Sequence, residues 1–141
     1  MMATRSGGRV GDRRSALALV SGFVAIWALA GAAGLAAGIV ELGAAVEERI
    51  PLDSPVLAAI ALAVVVGAPQ ALTAGFAVRG DPRAPVVAMI SGGLLVGWVV
   101  LQAYTIEVFS WLQPVCVAAG LVVLLLGMTV PADSRRRPTP R

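Results

Sequence analysis

The chain has 141 residues, 58% hydrophobic and only 13% charged, with a formal net charge of +3. A water-soluble domain carries about twice that share of charge, so this composition excludes an ordinary soluble domain and points to an integral membrane protein. The mean hydropathy is +0.87 and the sequence pI is near 10.4. The basic excess is all Arg, with no Lys, and it lies in short clusters beside apolar runs. That placement orients membrane helices, and nucleic acid is not expected as a partner. Rich Ala, Gly and Val with Arg in place of Lys fits a bacterial, GC-rich coding sequence. One Cys and no His exclude an intramolecular disulfide, a C-x-x-C redox motif, a Cys/His zinc site and a His-ligated haem. No cofactor or metal is expected, and Cys116 reads as a small apolar residue in a helix.

Residues 1–14 are Arg- and Gly-rich and read as a disordered cytoplasmic tail. The first apolar run follows at about 15–40. It exceeds the 7–15 residues of a leader's apolar region, so it reads as a membrane helix. Ala30, Gly34 and Gly38 give it a small-residue stripe for close helix packing. Between 41 and 53, Leu42, Val46 and Ile50 repeat every four residues among Glu47, Glu48 and Arg49. This spacing predicts a short amphipathic helix that extends the first helix beyond the membrane or bends to lie on the outer surface, until Pro51 stops it, with a ligand lid as the functional alternative.

The second run covers about 55–78. Asp53-Ser54-Pro55 supplies an N-cap followed by Pro at the first helical position. Ala59, Ala63, Gly67, Ala71 and Gly75 form a second small-residue stripe. Pro69 lies near the middle, where it removes a hydrogen bond and predicts a kink. Gln70 and Thr73 follow it as groups able to satisfy freed or neighbouring backbone, Gln70 is expected to face the bundle interior, and such a break is either structural or part of a site.

Gly80-Asp81-Pro82 reads as a helix stop, an N-cap and a start. The third run extends over about 84–108 with small residues at Gly93 and Gly97, and the fourth over about 110–130, ended by Pro131. At their junction Ser110 and Gln113 have capping-box spacing, whereas Pro114 permits a start at Pro114 instead. Either way the stretch is an outer turn across which Gln102 and Gln113 face each other. Tyr104, Phe109 and Trp111 are interfacial anchors. Trp27 and Trp98 lie deeper and read as packing residues, with a hydrophobic-ligand pocket as the alternative. Residues 131–141 form an Arg- and Pro-rich cytoplasmic tail.

The charges alternate with the runs. Both tails and the 79–83 turn hold 10 Arg and 3 acids, against 1 Arg and 5 acids in the other two connections. Both termini are therefore expected in the cytoplasm. The fold class is all-α: a bundle of four transmembrane helices over residues 15–130, multi-pass in the cell's inner membrane, with the lipid bilayer as its surroundings.

The polar residues in or near the runs are Ser21, Gln70, Thr73, Ser91, Gln102, Tyr104 and Gln113. No acid or base lies at bilayer depth, so neither a proton relay nor a nucleophile–base pair can be assembled. The candidate positions are Gln70, Thr73, Gln102 and Gln113, with Pro69 as the kink. The expected function is non-enzymatic: an accessory or interaction component with a membrane-protein partner or a second copy of itself. The alternative is a small transporter or hydrophobic-ligand-binding bundle using the kinked second helix.

Gly97-Trp98, Val100, Gln102, Ser110-Trp111-Leu112-Gln113-Pro114 and Gly120 resemble a group of small four-helix bacterial membrane proteins with no assigned activity. The likeness covers about 75–127 and centres on SWLQP. A more distant likeness is to the four-helix DoxX-like membrane proteins. Both imply a four-helix membrane fold and no particular chemistry.

Overall fold

The computed structural model describes residues 5–39, 54–106 and 111–130. Every regular element among them is helical. Helix α1 spans Arg5–Ala36. The second span consists of α2 (Pro55–Leu62), a π-helical turn (Ala63–Gly67) and α3 (Ala68–Arg79). Helix α4 spans Ala84–Ile106 and α5 spans Leu112–Thr129. The amphipathic 41–53 stretch, Glu107, Phe109, Ser110 and the 131–141 tail lie outside the described residues.

Three helices are long and apolar enough to cross a membrane: Gly8–Ala36, Pro55–Arg79 and Ala84–Tyr104. The fourth has an apolar stretch of Gln113–Thr129 and is shorter. Its 18 helical residues extend about 27 Å, against a hydrocarbon core of about 30 Å.

The ends of the elements follow local chemistry. Helix α1 starts at Arg5, well before position 15, so part of the expected disordered tail is helical. That stretch contains no Pro, and Arg is a good helix former. At its other end α1 stops at Ala36, short of position 40. Gly38 has a φ of +68°, and Gly38 and Ile39 donate back to the Leu35 and Gly34 carbonyls. This is a Schellman stop, so Gly38 ends the helix and does not extend a packing stripe.

Gly80 does the same for α3 with a φ of +65°, its N–H and that of Asp81 reaching the Ala77 and Phe76 carbonyls. The expected stop is there. Asp81 Oδ1 accepts from the Arg83 N–H at 2.8 Å, which closes the turn. Ser54 is the N-cap of α2, its Oγ accepting from Leu57 N–H. Helix α5 begins at Leu112 with Trp111 at the cap and no side-chain cap bond. Pro114 thus sits inside the first turn, where its missing N–H costs no intrahelical bond. The start at Pro114 is not adopted.

The helices run up and down. Gly31 faces Leu62, Gly67 faces Leu29 and Gly22 faces Ala74, so α1 is antiparallel to the second span. Helices α4 and α5 are antiparallel too and closer still. A Cβ on Gly92 would lie 2.7 Å from the Gly120 carbonyl oxygen, and one on Gly127 would lie 3.0 Å from the Pro85 carbonyl oxygen. Only Gly permits this approach of backbones. The packing glycines of this hairpin are therefore Gly92, Gly120 and Gly127. Gly93 and Gly97, the expected stripe, meet nothing within 4 Å.

The outside of the bundle is apolar. Leu19, Phe23, Ile26 and Trp27 on α1, Val64 and Leu72 on the second span, Ile90 and Val100 on α4, and Leu125 on α5 all face outward. Small apolar residues and a few polar ones fill the interior. Water would disfavour such an arrangement; hydrocarbon would not.

Candidate functional site

Two apolar clusters divide the interior. One joins Leu17, Ala77, Ala88 and Val123, near the Arg-rich end. The other joins Ala28, Val66 and Leu95, with Trp98 and Ala119 packed against it. Between them along the chain lie Ser21 on α1, Gln70 and Thr73 on α3, and Ser91 on α4. All four are buried, Ser21, Gln70 and Thr73 completely. Helix α5 passes this level at Gly120, which adds no side chain. The result is a polar layer enclosed between two apolar ones.

The break in the second span places two of these groups. Pro69 has no N–H, and its ring would clash with the carbonyl one turn back. The backbone widens over Ala63–Gly67, where the Ala68 N–H bonds to the Ala63 carbonyl five residues earlier. A π turn of this kind moves the crowded carbonyl away and adjusts which face follows. Where the sequence predicts a kink at Pro69, the structure has a π turn immediately before it, at Ala63–Gly67. Directly after it, Gln70 and Thr73 point inward.

Their common partner is Ser91. Gln70 Nε2 donates to the Ser91 carbonyl at 3.3 Å. Thr73 Oγ1 and Ser91 Oγ are 2.8 Å apart. Thr73 Oγ1 is also 2.9 Å from the Pro69 carbonyl oxygen, and Ser91 Oγ is 3.1 Å from the Ala88 carbonyl oxygen. Two hydroxyl protons serve these three contacts. Either Thr73 donates to Ser91 and Ser91 to Ala88, or Ser91 donates to Thr73 and Thr73 to Pro69. Both directions leave each hydroxyl bonded.

Three buried atoms at or near this layer have no hydrogen-bond partner among the described residues: Ser21 Oγ, Gln70 Oε1 and Trp98 Nε1. One is a donor, one an acceptor and one either. Such groups are costly in an apolar interior.

The remaining sequence positions fall elsewhere. Gln102 and Gln113 are half-buried at the far end of the α4–α5 hairpin, beyond the second apolar cluster and away from the polar layer. Tyr104 and Trp111 are exposed. Trp98 packs as expected. Trp27 does not: it is 62% exposed and stacks on Phe23, with centroids 6.1 Å apart on the outer face of α1. The two are one turn apart on a helix and share a face. Cys116 is a half-buried free thiol on α5.

Ser91 and Ser21 are polar residues within apolar runs, and neither belongs to a motif that assigns it to the site. A usable signal was present for Ser91. The Gly80–Arg83 turn is tight, and Thr73 and Ser91 are equidistant from Pro82, which puts them level across an antiparallel hairpin. Ser21 has no such signal, because its level depends on packing across the undescribed 40–53 connection. No family model, curated protein or solved structure matches this chain.

Proposed function

We propose that the chain is an integral protein of a bacterial inner membrane, crossing it four times with both ends in the cytoplasm, and that it acts as a non-enzymatic accessory component. The single observation behind this reading is the closed polar layer. Gln70, Thr73 and Ser91 are fully or almost fully buried and bond to one another's helices. A layer used in this way holds the second span against α4 and specifies their register. Interhelical bonds of this type are a common glue in membrane bundles.

The charge asymmetry supports the orientation. The described cations Arg9, Arg13, Arg14, Arg79 and Arg83 gather at the α1 start and the α3–α4 turn. Arg13 Nη1 also donates to the Thr129 carbonyl at the end of α5, 3.1 Å away, so the fourth helix ends on the same side. Non-enzymatic action accords with the absence of His from the sequence and of acids from the central part of each apolar run. The outward Phe23–Trp27 stack is the face offered to a partner helix or a second copy.

A second reading is a small carrier or hydrophobic-ligand bundle using the polar layer. The unpaired Ser21 Oγ, Gln70 Oε1 and Trp98 Nε1 favour it. Photocrosslinkers at Phe23 and Trp27 in native membranes, combined with Gln70→Leu, separate the two. The accessory reading predicts discrete protein adducts from α1, unchanged by Gln70→Leu. Lipid adducts alone, with loss of a cellular phenotype on Gln70→Leu, would favour the carrier.

A further inference from the structure

At the Arg-rich end, α1 and the end of the second span leave an open groove of about 490 Å³. Its rim is polar: Arg14, Ser15 and Gly80. Its wall is apolar: Ala18, Leu19, Ala77 and Val78. The Arg14 guanidinium lies over the turn, where a Cβ on Gly80 would stand 3.2 Å from Nη1. Leu19 and Val78 are largely exposed.

Beyond Val78 the two helices come into contact, a Cβ on Gly22 standing 3.9 Å from Ala74. On α1, Ser15, Ala18, Leu19 and Gly22 follow helical spacing along one face, and on α3 so do Val78, Gly75 and Ala71. A Cβ on Gly75 meets nothing within 4 Å, and Ala71 is exposed. Ala71 and Gly75 thus give a shallow, small-residue surface that continues from the groove beside the seam.

A cationic rim continued by an apolar furrow matches an amphiphile with an anionic head. The charge of the two chain segments that meet here is one-sided: Arg9, Arg13, Arg14, Arg79 and Arg83 against Asp12 and Asp81. A guanidinium pairs with phosphate oxygens in a planar fork, and basic pockets between membrane helices on the cytoplasmic side hold acidic headgroups. We propose that this groove binds an anionic phospholipid of the cytoplasmic leaflet. Its phosphate sits on Arg14, and one acyl chain lies along Leu19, Gly22, Gly75 and Val78. The inference rests on the membrane-embedded orientation proposed above.

The test is a thermal-unfolding titration of the delipidated full-length protein in detergent. The probes are phosphatidylglycerol, phosphatidylcholine with the same acyl chains, and inorganic phosphate. The expected result is a midpoint raised by phosphatidylglycerol well beyond phosphatidylcholine, with little effect of phosphate alone. Arg14→Gln should abolish the difference and Arg14→Lys keep part of it. Arg9→Gln, exposed and outside the groove, should leave it intact. Gly75→Leu, which fills the furrow, should weaken phosphatidylglycerol without altering Arg14. Equal shifts from both lipids, an undiminished shift in Arg14→Gln, or phosphate matching phosphatidylglycerol would overturn the proposal. Failure of the orientation itself is read separately, from reporter fusions placed at the C-terminus.

Discussion

Thr73 Oγ1 and Ser91 Oγ lie 2.8 Å apart across the second span and α4, fully enclosed by protein. With the Gln70 amide on the Ser91 carbonyl, they fix the level at which the two helices meet. The bond is expected to be cooperative with its neighbours but modest. A double-mutant cycle of Thr73→Val and Ser91→Ala should give a coupling of about 0.6 kcal/mol, with a ceiling near 1.7 kcal/mol. Unfolding in mixed micelles measures it, and zero coupling would show that the pair does not hold the helices together.

The α4–α5 hairpin should be far less tolerant at some glycines than at others. A methyl group on Gly92 meets backbone of α5 on two sides, so Gly92→Ala should cost about 1–3 kcal/mol, as overpacking does. Gly127→Ala, against Pro85 and Ala88, should behave alike. Gly93→Ala and Gly97→Ala, which point into open space, should be neutral or gain up to about 1 kcal/mol of helix propensity. A flat response across all four would contradict the close approach.

The unpaired buried atoms give a prediction of opposite sign. Ser21→Ala deletes a buried hydroxyl that has no partner among the described residues. It should be neutral or stabilising, within about 1 kcal/mol. Destabilisation would mean that an internal water or a small guest satisfies this hydroxyl, as the carrier reading requires.

Arg13 links the first helix to the end of the last. Its guanidinium donates to the Thr129 carbonyl, beside the negative end of the α5 dipole. Arg13→Gln should lower stability by about 0.3–1 kcal/mol, and less as salt rises. Faster amide exchange over the last turn of α5 would localise the effect.

Much of this architecture was legible in the sequence. The helix stop at Gly80, the cap at Ser54 and the inward turn of Gln70 follow from local chemistry, because glycine, a hydroxyl and proline act on their own backbone. The roles of Ser91, Gly92, Gly120 and Gly127 were harder to read. Each depends on which face meets another helix, and four nearly uniform apolar helices have little amphipathic pattern to reveal their faces. The outward direction of Trp27 is not legible for the same reason: sequence gives depth along a helix but not direction around it. The helical stretch from Arg5 carries no apolar pattern in the sequence, because Arg and Gly read as a tail until Arg13 has Thr129 to dock on.

The closed interior separates an accessory component from a carrier, and cysteine accessibility tests it most directly. In a Cys116→Ala background, which leaves no other thiol in the chain, Thr73→Cys and Gln70→Cys are exposed in native membranes to small thiol reagents from each side. Arg83→Cys, exposed in the turn at the Arg-rich end and outside the groove, is the positive control. The account predicts that Arg83→Cys reacts and that positions 70 and 73 remain unmodified from both sides. Labelling of either inner position from one side, at a rate near that of the control, would show that the polar layer opens to water and would contradict the account.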